Sequence, residues 1–177
     1  MTSRAEGDPR AGPAERPTTY NLLFVCTGNT CRSPMAAAIA EAAIAERGWQ
    51  HVAVRSAGAS AGTGAAATES AVTVAAEHGL DLSAERPRGY ASVEAAPALV
   101  VSVCDRAGEA ELPAARGHLH WAIPDPVRTG GPAAFRRAFD EIATRIERLA
   151  VALDVPVDID APEPNHDRQK PKKGDDR

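Results

Sequence analysis

The sequence predicts an α/β fold built on a parallel sheet, and three observations carry that prediction. Short apolar runs, such as Leu22–Val25 and Ala98–Val101, are the kind that parallel sheets bury on both faces. Segments of helical period lie between them, so strand and helix alternate along the chain. A last, long segment carries an apolar stripe at alternating four- and three-residue steps: Phe135, Phe139, Ile142, Ile146, Leu149 and Leu153. Such a stripe covers a sheet. With 177 residues and 44% hydrophobic content, the chain suits one domain with a sizeable core.

Residues 1–18 are rich in Pro, Gly, Arg, Glu and Ala without periodicity and are expected to form a disordered lead-in. The folded domain is expected over 19–154. Its first strand ends in Val25, and Val25–Pro34 then reads as a strand end, a tight loop and a helix start. Gly28 and Asn29 are the residue types that best tolerate positive φ. Ser33 reads as an N-cap, with Pro34 at the first helical position. Met35, Ile39, Ala42 and Ala43 continue an Ala-rich helix to about Arg47, where Gly48 stops it.

His51–Gly58 reads as the second strand. The Gly-rich stretch after it holds Gly62-x-Gly64-x-x-Ala67, a partial dinucleotide fingerprint. That match starts several residues past the strand, so a flexible loop accounts for it better. A helix follows from about Ala66 to Glu77, ending at His78-Gly79, and Arg86, Pro87 and Arg88 begin an irregular segment. Ala98–Cys104 is a buried strand, and His118–Ile123 is the last. Thr129, Gly130, Gly131 and Pro132 open the long helix, on which Glu141 and Arg145 form an exposed i,i+4 pair. Beyond Val155 the chain is Pro-rich and mixed in charge, so 155–177 is expected to be a disordered tail.

Several function classes drop out. A formal net charge of −4 offers no basic field to nucleic acid, and 4% aromatic residues leave few platforms for stacking bases. No run approaches membrane-spanning length and the N-terminus has no apolar signal core, so a cytoplasmic protein without a membrane partner is expected. Three cysteines, an odd number, fit reduced thiols better than a disulfide framework. His118 and His120 alternate onto one face, but nothing else has metal-ligand spacing, so neither a metal nor another cofactor is expected.

What remains is the Cys26–Ser33 loop. A loop curled between strand and helix points successive N–H groups into one concavity, and the helix adds its positive end. A phosphate dianion fits that environment. Cys26 opens the loop, where those dipoles favour its thiolate. Arg32 closes it, and its planar fork takes two phosphate oxygens at once. Thiolate and guanidinium together suit attack on phosphorus. The leaving group then needs a proton, and Asp125 is the candidate donor, in a Pro124-Asp125-Pro126 loop just after a strand. Cys104 ends its strand on the carboxyl edge of the sheet, as Cys26 does.

The run Cys26-Thr27-Gly28-Asn29-Thr30-Cys31-Arg32-Ser33-Pro34-Met35-Ala36 resembles the signature loop of the low-molecular-weight protein tyrosine phosphatases. That superfamily includes bacterial protein-arginine phosphatases and one class of arsenate reductases. The likeness runs from about Tyr20 to about Leu153. It implies a three-layer α/β/α sandwich with a four-stranded parallel sheet in the order 2-1-3-4. It implies Cys26 as nucleophile, Arg32 and the amides of Thr27, Gly28, Asn29, Thr30, Cys31 and Ser33 as the phosphate cradle, and Asp125 as general acid. Ser56 matches a serine that buttresses the loop near Asn29, and His78 a histidine in the network holding that asparagine. Ser33 is expected to stabilise the thiolate, and Cys31 to form a reversible disulfide with Cys26. Cys31 and Cys104 are the redox candidates.

The implied activity is a phosphoprotein phosphatase acting through a cysteinyl-phosphate on phosphotyrosine or phosphoarginine. Val127 stands where tyrosine-specific relatives carry an aromatic residue, and Thr30 resembles the arginine phosphatases. The rival is an arsenate reductase using the same loop, with a low-molecular-weight thiol or thioredoxin-type reductant. The run Val103-Cys104-Asp105-Arg106-Ala107 is similar to that branch. Glu109, Ala110, Glu111 and Leu112 then supply no further shuttle cysteine, and Pro34 leans toward the phosphatases. A non-catalytic phosphate binder is the third class.

Overall fold

Leu23, Phe24 and Val25 are almost completely buried in β1 (Tyr20–Cys26), because β1 has a strand on either side and helix packed against it. This computed structural model describes residues 19–61, 66–93 and 95–154. The expected lead-in, the expected tail and the stretch holding Gly62 and Gly64 lie outside the described residues. β1 pairs in parallel with β2 (Val52–Gly58) and β3 (Leu99–Ser102), and β3 pairs in parallel with β4 (Gly117–His120). The order is β2-β1-β3-β4, as the resemblance implied, in an α/β sandwich. In this register Cys26 lies opposite Gly58 at the carboxyl edge.

Helix α1 (Arg32–Arg47) buries Met35, Ala36, Ala40 and Ala43, small side chains that let it lie close on β1 and β2. It ends where Gly48 takes φ 67°. Helix α5 (Pro132–Asp154) packs alongside α1 and buries Phe135, Phe139, Ile142 and Ile146, the first four residues of the expected stripe. Its Arg145 and Glu141 side chains meet at 2.7 Å. Phe24 and Trp121, 5.7 Å apart by ring centroid, join the sheet to the segment after β4.

Some boundaries move. Helix α2 (Glu69–Glu77) starts three residues later than Ala66, because the Thr68 N–H is committed to Thr30 O at 2.7 Å and holds the preceding chain against the Cys26–Ser33 loop. The ladder of β3 stops at Ser102 and that of β4 at His120, short of Cys104 and Ile123. Helices α3 (Asp105–Gly108) and α4 (Pro126–Thr129) were not anticipated, since one turn of four residues is too short to show a period. Among the described residues no helix is long and apolar enough to cross a membrane.

Candidate active site

The loop is organised by Asn29, the one non-glycine residue with positive φ (55°) among those described. Its backbone N–H donates to Cys26 Sγ at 3.2 Å. Its side chain is buried and every polar group on it is used. Nδ2 donates to Ser33 Oγ (3.0 Å) and to Ser56 Oγ (2.9 Å), and Oδ1 accepts from the Arg88 N–H (2.9 Å). Ser33 Oγ lies 3.0 Å from Cys26 Sγ and 3.2 Å from Ala57 O. It has one proton for two acceptors, and a thiolate is the stronger of them. The loop carbonyls are turned outward: Cys26 O accepts from Ala59 N–H, Thr27 O from Ser60 N–H and Thr30 O from Thr68 N–H. The amides of Gly28, Thr30 and Cys31 donate to no protein group among the described residues, which leaves them for an anion.

Arg32 is nine-tenths buried and faces the same site. One of its terminal nitrogens donates to Ile123 O at 2.9 Å, the other lies 3.2 Å from Asp125 Oδ2, and its Nε is buried without a partner among the described residues. Asp125 caps α4, its Oδ1 accepting from the Val127 N–H at 3.0 Å. The structure therefore brings the side chains of Arg32 and Asp125 together from distant parts of the sequence. The Cys104 thiol adjoins the loop, 3.5 Å from Thr27 Oγ1. All three cysteines are free thiols. Burial, reinforced by the negative charge of Cys26, pushes the Cys31 thiol up to about 12.

Three expectations are corrected. Ser33 is not the N-cap of α1: the helix begins at Arg32, Cys31 takes the cap position without a side-chain bond, and the Ser33 hydroxyl is drawn into the site instead. Gly28 does not take positive φ, and a Cβ there would make only ordinary contact. The glycine that the loop requires is Gly58, where a Cβ would lie 2.9 Å from Thr27 O and 3.0 Å from Asn29 N. His78 does not hold Asn29. It ends α2 and stacks on Phe139, ring centroids 4.2 Å apart, while the Arg88 main chain occupies the role foreseen for it. Sequence reasoning missed Arg88 because a backbone donor has no residue signature; Pro87, which fixes the approach of the chain, was the one available sign. His118 and His120 are engaged elsewhere, the first with Pro113 O, the second with Ser102 Oγ and Asp105.

A thiol in an amide-lined loop at the carboxyl edge of a parallel sheet, with an arginine–aspartate pair at the end of that loop, is the arrangement of a cysteine-dependent phosphatase of the α/β class. The family model for low molecular weight phosphotyrosine protein phosphatase matches residues 21–158, and the chain belongs to that family. It is 35% identical over 148 residues to a protein-arginine-phosphatase of Geobacillus stearothermophilus, covering 76% of this chain and 96% of that one. It is 32% identical over 137 residues to an arsenate reductase of Halalkalibacterium halodurans, covering 73% and 94%. The solved low molecular weight protein tyrosine phosphatase of T. tengcongensis superposes with a TM-score of 0.66 at 26% identity, over 76% of this chain and 99% of that one.

Proposed function

We propose that this protein is a phosphoprotein phosphatase that works through a cysteinyl-phosphate, with phosphoarginine as its preferred substrate class. The observation that supports the chemistry best is the convergence of the Asn29 N–H and Ser33 Oγ on Cys26 Sγ, with Arg32 and Asp125 alongside. In the first step Cys26 Sγ attacks phosphorus, the S–P bond forms and the bond to the leaving group breaks. Arg32 and the loop amides hold the phosphoryl oxygens, and Asp125 gives its proton to the leaving atom. In the second step water attacks phosphorus, Asp125 takes the water proton, and the S–P bond breaks. The departing thiolate is stabilised by the same two donors that favoured it at the start.

The half-buried Thr30 and the exposed aliphatic Val127 support phosphoarginine over phosphotyrosine. No aromatic wall stands beside Asp125 in sequence to sandwich a phenol ring. The arginine phosphatase of Geobacillus stearothermophilus is among the similar proteins. A cytoplasmic location and a phosphorylated protein substrate go with this reading. The second reading, arsenate reduction by an external low-molecular-weight or thioredoxin-type thiol, is favoured by Cys104 lying against Thr27 of the loop. In it, two thiols are oxidised to a disulfide as arsenic(V) becomes arsenic(III).

A substrate panel tests both readings. Phosphoarginine peptide, phosphotyrosine peptide and arsenate with thiol are assayed on one preparation, with Cys26→Ser as control. The expected outcome is phosphoarginine turnover that is abolished in Cys26→Ser and shifts toward phosphotyrosine in Thr30→Ile. A strong tyrosine preference unchanged in Thr30→Ile removes the phosphoarginine assignment, and normal aryl phosphate hydrolysis by Cys26→Ser removes the mechanism.

A further inference from the structure

We propose that Pro87–Gly89 is a positioning strap for the active site, and that its working group is the main-chain N–H of Arg88 rather than the Arg88 guanidinium. The inference rests on the reading of Cys26 as the nucleophile. The strap touches two things. The Arg88 carbonyl accepts from the Gly58 N–H at 2.8 Å, and Gly89 pairs with Gly58 in an isolated parallel bridge. The Arg88 N–H, on the other side of the same residue, donates to Asn29 Oδ1 at 2.9 Å. The strap thus adds one rung beyond β2 and turns its next donor onto the apex of the Cys26–Ser33 loop.

That donor matters because of what Asn29 does. Its backbone sits in the left-handed region, which asparagine tolerates better than most L residues and which contacts to its side chain help to hold. Its side chain is anchored on one side by Ser33 and Ser56, both acceptors of Nδ2. Among the described residues the Arg88 N–H is the one donor to Oδ1, so it sets the remaining degree of freedom of the amide plane. The same residue's N–H points at Cys26 Sγ. A two-bond path therefore runs from strap to sulfur: Arg88 N–H to the Asn29 side chain, and Asn29 N–H to Cys26.

Neighbouring features set the strap in place without the Arg88 side chain. Pro87 holds its own φ near one value and biases the residue before it toward extended backbone. Gly58, to which the strap is bonded, also lets the loop backbone approach closely, since a Cβ there would strike Thr27 O. Among the described residues the Arg88 guanidinium is bonded to Glu85 alone, at 3.3 Å, and both side chains are more than a third exposed. Such a surface pair contributes little.

The test compares Arg88→Pro, which lacks the N–H, with Arg88→Ala, which keeps it and loses the ion pair. The readout is the rate at which iodoacetamide alkylates Cys26 near neutral pH, followed by mass spectrometry of the Cys26 peptide. The expected result is a rate near wild type for Arg88→Ala and a fall of about tenfold for Arg88→Pro, the effect of one buried hydrogen bond. A wild-type rate in folded Arg88→Pro, or an equal fall in Arg88→Ala, overturns the proposal. Should Arg88→Pro not fold, hydrogen exchange decides. The Arg88 amide of the intact wild-type protein is expected to be protected, and to exchange at least about tenfold faster in Asn29→Ala with the α5 amides unchanged. An unprotected Arg88 amide, or one indifferent to Asn29→Ala, overturns the proposal. Alkylation needs no phosphate substrate, so a protein that alkylates as expected yet hydrolyses no phosphomonoester sinks the functional reading and leaves the strap standing.

Discussion

Arg32 is the residue on which the site turns. Its guanidinium is shared between Ile123 O and the Asp125 carboxylate, with one nitrogen left over. In the proposed mechanism an entering phosphoryl group competes with Asp125 for that fork, and Asp125 must be free to carry a proton to the leaving group. Replacing Asp125 by Asn removes both the competition and the proton. The expected outcome is a fall in kcat of about 10²- to 10⁴-fold, largest for poor leaving groups. Inorganic phosphate should at the same time inhibit more strongly, because Arg32 has lost its internal counter-ion. Steady-state kinetics with product inhibition check both, and an unchanged kcat with a poor leaving group removes Asp125 from the chemistry. Residue types pointed to Cys26 and Arg32 and, given that loop, to Asp125, since thiolate, fork and carboxylate announce their chemistry; for Ser33 they suggested a helix cap. It was the family resemblance that misplaced His78, whose ring ends α2 and has a packing partner in Phe139 from a helix some 60 residues later.

At the scale of elements, the end of β2 does more than finish a strand. Gly58 pairs with Cys26 across the sheet, receives the strap at Arg88 O, and leaves room for the loop backbone. The atoms nearest a Cβ at this position are mostly backbone, which cannot swing aside as a long side chain can. Gly58→Ala is therefore expected to displace the loop, to cost about 1–3 kcal/mol in unfolding stability, and to lose most activity. Gly28→Ala should be far milder, as a Cβ there makes only ordinary contact with Thr30. Urea unfolding and kinetics on the two variants check this, and equal effects would refute it. The strands, α1 and α5 were legible because their apolar spacing is long enough to show a period. α3 and α4 were not, because a single turn is made by its caps and neighbours.

For the whole molecule, packing α1 onto the sheet leaves Cys31 out of water, and its thiol stands at about 12 instead of 9.0. The sign of the effect on stability follows from proton counting. Below about pH 9 both folded and unfolded chains hold the proton and Cys31 contributes no slope. Between 9.0 and about 12 the unfolded chain releases it while the folded chain keeps it, so stability falls as pH rises. Urea midpoints from about pH 8 to about pH 10.5 should decline more steeply in wild type than in Cys31→Ser, and parallel declines would show that the thiol is not so held. The same burial keeps Cys31 protonated near neutrality, so any disulfide with Cys26 should close faster as pH rises.

The succession of the four strands with α1, α2 and α5, and the place of the Cys26–Ser33 loop between a strand and a helix, were written in the chain, because each depends on local spacing. Which groups hold Asn29, why Gly58 must be glycine, where Asp125 meets Arg32 and which donor stands in for His78 depended on tertiary structure. Those are contacts between segments far apart in sequence, and several run through backbone N–H and C=O groups that every residue carries, so composition and periodicity have nothing to mark them by.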